Sequence, residues 1–225
     1  MTEQRFGNYR VVRKLGEGGM GSVFEVVHEE IGKRAAVKVL HARLSKDPQT
    51  SARFLTEARA VNMVQHPGLV SIFEFGRSPD GAAYLVMEFL EGETLSARLQ
   101  RLGRLSLEEA RRITRQVASA LAAAHDKRVV HRDLKPENVM LIPEPDLPGG
   151  ERAKLLDFGV AKVTRAGGAA ATQAGAFLGT PAYMSPEQCM SAGDVDEKSD
   201  VYALGVMLYE MLTGVLPFVA QGLGE

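Results

Sequence analysis

The sequence predicts an α+β fold, with strands up to about residue 88 and mainly helices after it. Residues 22–27 and 84–87 are short runs rich in β-branched and apolar residues, which are typical of strands. Residues 106–124 and 201–213, by contrast, carry apolar residues at helical spacing. Strands and helices are thus grouped in different parts of the chain, as in α+β folds.

A glycine-rich turn joins two strands near the N-terminus. Gly16, Gly18 and Gly21 stand in a G-x-G-x-x-G-x-V pattern, and glycines let a backbone approach phosphate oxygens closely and adopt unusual φ angles. The same pattern opens dinucleotide-binding units, where a helix follows it. Because residues 22–27 are strand-like instead, we predict a strand–loop–strand hairpin that covers a nucleotide. A flexible turn without a ligand is the alternative.

A helix is predicted over residues 47–64. Asp47 suits its N-cap and Pro48 its first turn. An apolar stripe at helical spacing should face the sheet; its members are Phe54, Ala58, Val61 and Val64.

Lys38 is the one cation in the apolar strand-like run 36–40. A lone lysine on a surface strand is usually only solvated, whereas a buried or half-buried ammonium needs a partner. Glu57 is our candidate for that partner, because it flanks the apolar stripe of the predicted helix.

A second helix should cover residues 106–124, beginning at a capping box formed by Ser106 and Glu109. We interpret His125 and His131, which follow, as hydrogen-bonded structural residues and not as metal ligands. Residues 143–150 are rich in proline and glycine, which predicts a surface loop.

Residues 131–138 read His-Arg-Asp-Leu-Lys-Pro-Glu-Asn, and Asp157 begins an Asp-Phe-Gly turn. Asp133 can accept the proton of a hydroxyl group, while Asn138 and Asp157 offer oxygen ligands that hold magnesium against ATP. Phosphoryl transfer needs these three groups.

These motifs resemble those of the eukaryotic-type (Hanks-type) Ser/Thr protein kinases, and the residues within them are similar to those of the bacterial branch of that family. The resemblance implies a kinase domain over residues 9–225 with an antiparallel five-stranded N-lobe and one helix (about 9–88). A hinge (about 88–92) and a largely helical C-lobe (about 93–225) follow, with ATP between the lobes. The family continues with further helices, so we expect an incomplete C-lobe, truncated after its central helix.

The resemblance also implies ATP-dependent phosphorylation of protein Ser/Thr hydroxyls. Asp133 would be the base, and Lys135 would neutralise charge on the γ-phosphoryl group, a choice typical of Ser/Thr kinases. Lys38, held by Glu57, would position the α- and β-phosphates.

The cofactors implied are ATP and Mg²⁺, with Mn²⁺ as an alternative metal. Asn138 and Asp157 would be the metal ligands. The residues expected to bind ATP are Gly16, Gly18, Gly21, Val23, Ala36, Lys38, Met87, Glu88, Leu90 and Met140.

The segment after Asp157 carries the regulatory predictions. In the family, an arginine at the position of Arg132 marks kinases whose activation loop is ordered by a phosphate. Thr172, in a Gly/Ala-rich stretch, is the predicted autophosphorylation site, which requires two chains to associate. The alternative is that Thr172 is one polar residue in a disordered loop. Thr180 would hydrogen-bond Asp133 and Lys135 and favour Ser/Thr substrates.

Asp200 is predicted to open an apolar helix from Val201 to Thr213, which should be buried. The resemblance implies that it is the central helix of the C-lobe and that Asp200 anchors the catalytic loop. Glu187, in a Ser-Pro-Glu variant of the family's Ala-Pro-Glu marker, should lack the arginine that pairs with it, because that arginine lies in the missing part.

The composition bears on binding partners, on the redox environment and on the location of the protein. The net charge of −1 gives no sign of nucleic-acid binding. Cys189 is the single cysteine, which rules out an intramolecular disulfide and suits a reducing compartment. We find neither a signal peptide nor a membrane span, so we expect a cytoplasmic location.

Two other functions are considered. A small-molecule kinase would share Asp133, Asn138 and Asp157 but would lack the peptide-binding segment 179–187. A catalytically impaired, truncated kinase domain could act as an ATP-binding or interaction module, a hypothesis that rests only on the expected truncation.

Overall fold

The computed structural model describes residues 4–158, 181–190 and 195–218. Within them the chain divides into two units. The first comprises residues 4–63 and 70–90, and the second comprises residues 64–69 together with the described residues from 91 onward.

The first unit contains an antiparallel sheet in the order β1-β2-β3-β4-β6-β5. Its strands are β1 (Arg5–Phe6), β2 (Tyr9–Gly18), β3 (Gly21–His28), β4 (Arg34–Leu40), β5 (Ile72–Arg77) and β6 (Ala83–Glu88). The sequence predicted five strands; the sixth is the two-residue β1, which folds back on β2 so that Phe6 is buried against Tyr84.

Two helices accompany this sheet, the short α1 (Ala42–Ser45) and α2 (Pro48–Asn62). The Asp47 side chain accepts hydrogen bonds from the backbone N–H groups of Gln49 and Thr50, so the predicted cap is confirmed. The helix ends two residues before the predicted Val64. All members of the predicted apolar stripe are buried, and Phe54 packs near Phe75 of β5.

The second unit combines a three-stranded sheet with helices. The strands are β7 (Glu93–Thr94), β8 (Val139–Pro143) and β9 (Glu151–Leu155), and the helices are α3 (Leu95–Leu102), α4 (Leu107–His125), α5 (Pro186–Met190) and α6 (Glu197–Thr213). The residues between β8 and β9 form a loop, as predicted. The described part of the chain holds no helix with the length and hydropathy needed to cross a bilayer.

The capping box predicted for α4 is only half formed. Ser106 accepts the backbone N–H of Glu109 at 3.2 Å. The Glu109 carboxylate, however, binds Arg98 at 3.0 Å, because a charged partner from α3 competes for it.

The predicted start of α6 was wrong. The helix begins at Glu197, where the side chain of Asp196 caps the N–H of Lys198 at 2.9 Å. Asp200 therefore lies inside the first turn. The helix is also not buried on every side, since Val201 and Tyr209 are 62% and 45% exposed.

Candidate active site

The predicted catalytic segment, residues 131–138, lies between α4 and β8 and is held by Asp200 of α6. Both carboxylate oxygens of Asp200 are used: Oδ2 accepts the N–H of His131 and Oδ1 that of Arg132, each at 2.8 Å. Nε2 of His125 also lies 2.8 Å from Oδ2. A carboxylate that is only 1% exposed requires such partners. The prediction that Asp200 anchors this backbone is confirmed.

His131 is fully buried, with its ring centroid 4.6 Å from that of Phe158. Nε2 lies 2.9 Å from the carbonyl oxygen of Leu156, and Nδ1 lies 3.3 Å from the backbone nitrogen of Asp133. A carbonyl only accepts and an N–H only donates, so Nε2 carries the proton and the ring is neutral. Burial lowers the pKa of His131 below 6.5, in agreement with a neutral ring. His131 is thus a structural residue, as predicted.

Three predicted site residues form one cluster. Nδ2 of Asn138 lies 2.7 Å from the backbone oxygen of Asp133 and 3.3 Å from its Oδ2. Nζ of Lys135 lies 3.6 Å from the same Oδ2. Because the NH₂ group of Asn138 faces Asp133, its amide oxygen is turned to the other side, where it can serve a cation that prefers oxygen ligands. A proton acceptor, a cationic side chain and a metal-type ligand therefore meet on one loop.

The β8–β9 hairpin brings the two predicted metal ligands near each other in the backbone. Val139 pairs with Leu155, and just beyond them the N–H of Leu156 donates to the carbonyl of Asn138 at 2.9 Å. Asp157 comes next, with a φ of 45°, in the left-handed region that is costly for a residue with a Cβ. Backbone strain of this kind is found at functional sites.

The residues at this site suit a magnesium ion that is bound together with phosphates. Across the described ranges, no group of three or more His, Cys, Asp or Glu side chains could hold a metal ion. Magnesium at phosphate-transfer sites needs only one or two protein carboxylates or amides, because substrate phosphates and water supply the remaining ligands. Two oxygen ligands, from Asn138 and Asp157, meet that requirement.

Arg132 combines two unusual features. Its φ is 62°, and its guanidinium Nε is buried without a hydrogen-bond partner among the described residues. The prediction that a phosphate on Thr172 pairs with it stays a prediction, since Thr172 lies outside the described residues. Thr180 lies outside them as well, so its predicted bonds to Asp133 and Lys135 also stay a prediction.

The contacts of residues 183–190 were not foreseen from the sequence. The carboxylate of Glu187 accepts the hydroxyl hydrogen of Ser199 at 2.6 Å, which lowers the pKa of Glu187. Tyr183 donates to Glu210 at 2.6 Å, and burial raises the pKa of both groups. Nε2 of Gln188 reaches a backbone carbonyl of the catalytic segment at 2.9 Å. A run of polar residues around Ser-Pro-Glu was the only available signal.

In the first unit, the glycine-rich turn is the β2–β3 hairpin predicted from the sequence. A Cβ on Gly16 or Gly18 would meet open space, whereas one on Gly21 would lie 1.9 Å from the carbonyl oxygen of Val39. None of the three has a positive φ, so unusual φ, one of the two reasons we gave for them, was wrong. The other reason, close approach of the backbone to phosphate oxygens, stays a prediction. Gly21 is needed for close packing on β4, and Gly16 and Gly18 leave the hairpin surface clear. His41 holds the turn of this hairpin, because its Nε2 atom lies 2.9 Å from the carbonyl oxygen of Gly18.

Four predicted ATP-binding residues share one face of this sheet. Ala36 and Lys38 are two apart on β4 and so point to the same side. Val23 of β3 is directly opposite Lys38, and Met87 of β6 is opposite Ala36. The pair of Lys38 with Glu57 is untested, because the Glu57 side chain lies outside the description.

The remaining predicted ATP-binding residues are Glu88, Leu90 and Met140. Glu88 ends β6, where its Oε1 accepts the N–H of Ser71 at 2.7 Å, and Leu90 lies two residues beyond. Met140 is on β8, in the second unit, opposite Lys154.

Fold and site together place the chain among the phosphotransferases that act with ATP and a divalent metal. Within that class, the chain belongs to the protein kinase family, whose domain model matches residues 9–223. It is 47% identical over 219 residues to the serine/threonine-protein kinase Pkn1 of Myxococcus xanthus, covering 97% of this chain and 31% of that protein. It is 43% identical over 220 residues to PknA of Mycobacterium tuberculosis, covering 96% of this chain and 49% of that protein.

Solved structures of protein kinase domains are also similar to this chain. The PknI kinase domain of Mycobacterium tuberculosis matches with a TM-score of 0.75 and 28% identity, covering 100% of this chain and 82% of that chain. A double mutant of the same domain gives 0.76 and 27%, with 97% and 78% covered.

These matches confirm the two-lobe kinase fold and the assignment as a Ser/Thr protein kinase domain of the bacterial type, and they do not favour the impaired binding module. The chain spans only about a third to a half of the length of these curated relatives.

Proposed function

We propose that this domain transfers the γ-phosphate of ATP to Ser and Thr hydroxyls of proteins. The cluster of Asp133, Lys135 and Asn138 on a loop anchored by Asp200 carries the proposal. A carboxylate held in this way accepts the hydroxyl proton while the hydroxyl oxygen bonds to the γ-phosphorus and the bond to ADP breaks. Lys135, beside that carboxylate, offsets negative charge on the transferred group.

The two predicted lobes would supply different parts of this chemistry. In the first lobe, about residues 9–88, Lys38 held by Glu57 would position the phosphates, and after it residues 88–92 would bind the base as the hinge. The other ATP-binding residues are proposed as predicted above. In the second, from about residue 93, Asn138 and Asp157 would hold Mg²⁺, or Mn²⁺ in its place, which would offset the charge of the phosphates.

We propose protein substrates, and a second copy of the domain as the partner for autophosphorylation at Thr172. Arg132 would receive the resulting phosphate, and Thr180 would favour Ser/Thr over Tyr substrates. The cytoplasmic location also stays a prediction.

The direct test is phosphoryl transfer measured by intact mass. The protein is incubated with ATP and Mg²⁺, with and without an added basic protein substrate. We expect phosphate on the substrate, and a loss of about 10²-fold or more in Asp133→Asn, because the base is removed. The control is Asp126→Asn, which makes the same change at the exposed C-cap of α4 and should leave the rate unchanged. Equal rates for Asp133→Asn and the parent would contradict the proposal.

A further inference from the structure

Gln188, on the short helix α5, makes hydrogen bonds in two directions. Its Nε2 donates to the backbone carbonyl of Arg132 at 2.9 Å. Its Oε1 accepts the N–H of Ser185 at 3.1 Å and the hydroxyl of Ser185 at 3.4 Å. The amide orientation is fixed by these partners, because the carbonyl of Arg132 can only accept and the N–H of Ser185 can only donate.

The carbonyl that Gln188 holds belongs to the peptide group joining Arg132 to Asp133. The N–H of the same peptide group donates to Nδ1 of the neutral ring of His131 at 3.3 Å. Both polar groups of this peptide plane are therefore hydrogen-bonded, one on each side. The orientation of this peptide plane determines the direction of the backbone at Asp133.

This restraint acts at a strained position. Arg132 has a φ of 62°, a conformation that a residue with a Cβ keeps only where the surrounding structure holds it. Asp200 fixes its N–H from α6 at 2.8 Å, and Gln188 fixes its C=O from α5. Without Gln188, the carbonyl side of this residue would lose its protein partner, and the peptide plane could rotate.

We propose that Gln188 is a positioning residue for Asp133, which holds the proposed base in place through the Arg132 carbonyl. The inference deepens the proposed function and rests on it. It also makes the geometry of the base depend on the packing of α5, which begins at the proline of the Ser-Pro-Glu motif.

Two variants separate the contacts of Gln188. Gln188→Met keeps the length of the side chain and removes all its hydrogen bonds. Gln188→Glu keeps an acceptor for Ser185 and replaces the donor to the Arg132 carbonyl by a carboxylate oxygen, which cannot donate. Cys189→Ser is the matched control, since Cys189 is the next residue on α5 and is exposed.

The first measurement is steady-state kinetics, corrected for the folded fraction. We expect kcat to fall about three- to tenfold in both Gln188 variants, the effect of one net hydrogen bond on the transition state. The KM for ATP should not change, because the lost bond holds the base and no ATP-binding residue. If Gln188 only stabilised the fold, its replacement would reduce the folded fraction, but it would not lower kcat at an unchanged KM. Parent-like kcat in Gln188→Glu would overturn the proposal, because it would assign the role to Ser185.

The second measurement is amide hydrogen exchange of a peptide covering residues 130–135, which does not depend on activity. Both Gln188 variants should exchange faster there than the parent and Cys189→Ser. Unchanged exchange would overturn the proposal even if the parent has no kinase activity. An inactive parent with faster exchange in the variants would refute the proposed function while supporting the positioning by Gln188.

Discussion

Replacement of Asp200 by Asn tests how strongly the catalytic segment is anchored. The carboxylate accepts two backbone N–H groups and faces His125, all at 2.8 Å, in a nearly solvent-free site. Asparagine has the same shape but only one acceptor oxygen, so its NH₂ group must face one of the two N–H donors. One backbone donor is then left buried without a partner, and the other loses the charge of its acceptor.

The expected cost follows from these bonds. A hydrogen bond to a charged group contributes about 1.5–3 kcal/mol, and a buried donor left without a partner costs about 1–3 kcal/mol. We therefore expect Asp200→Asn to lower the free energy of unfolding by about 3–5 kcal/mol, a large share of the ~5–15 kcal/mol typical of a domain. Phosphoryl transfer should fall as well, because His131 and Arg132 precede Asp133.

The assay is urea unfolding followed by circular dichroism at constant pH. Asp196→Asn is the matched control: it makes the same change at the N-cap of the same helix, where Asn caps as well as Asp. We expect the control to change stability by less than about 0.5 kcal/mol. A loss in Asp200→Asn no larger than that of Asp196→Asn would refute the reasoning that this carboxylate anchors the loop.

Four further outcomes are expected. Lys38→Met should keep the fold and lower phosphoryl transfer about 10²-fold or more, measured by intact mass, because only the ammonium is lost; an unchanged rate would contradict its role. Asp157→Asn should abolish the Mg²⁺ dependence of nucleotide affinity in a fluorescence titration, and an unaltered dependence would show that it is no ligand. Thr172→Ala should lower activity towards an added protein, and phosphopeptide mapping of the active parent should find Thr172 modified; an unmodified loop would refute this. His131→Gln should flatten the dependence of unfolding free energy on pH below 6.5. The unfolded state takes up a proton there that the buried ring does not, so stability falls with falling pH by at most about 1.4 kcal/mol per unit; equal slopes in urea titrations would contradict it.

Features that depend on neighbours in sequence were predicted well. The cap at Asp47 and the apolar stripe of α2 follow from spacing alone, and both are present. The glycine hairpin was recognised because its flanks are strand-like. The segment around Asp133 was identified because its residues and their order match the motif of the protein kinases.

Features that depend on distant contacts were not predicted, or were predicted for the wrong reason. Asp196 and Asp200 both precede the apolar run of α6, and only the bonds of Asp200 to a loop far away in sequence show that it is not the cap. Position 21 requires glycine, because a Cβ there would collide with the backbone of β4. The bond of Gln188 to Arg132 was not predicted, because the two residues are 56 positions apart in the sequence.

The two ends of the β8–β9 hairpin carry different features of the chain. Its closed end, where Pro143 pairs with Glu151, carries the proline- and glycine-rich loop, and its open end carries Asn138 and Asp157. At about 3.3 Å per strand residue, the two ends lie roughly 13 Å apart. Insertions at the closed end should therefore leave the open end in register, as long as the intervening pairs form. This makes the loop a suitable place to insert a reporter tag.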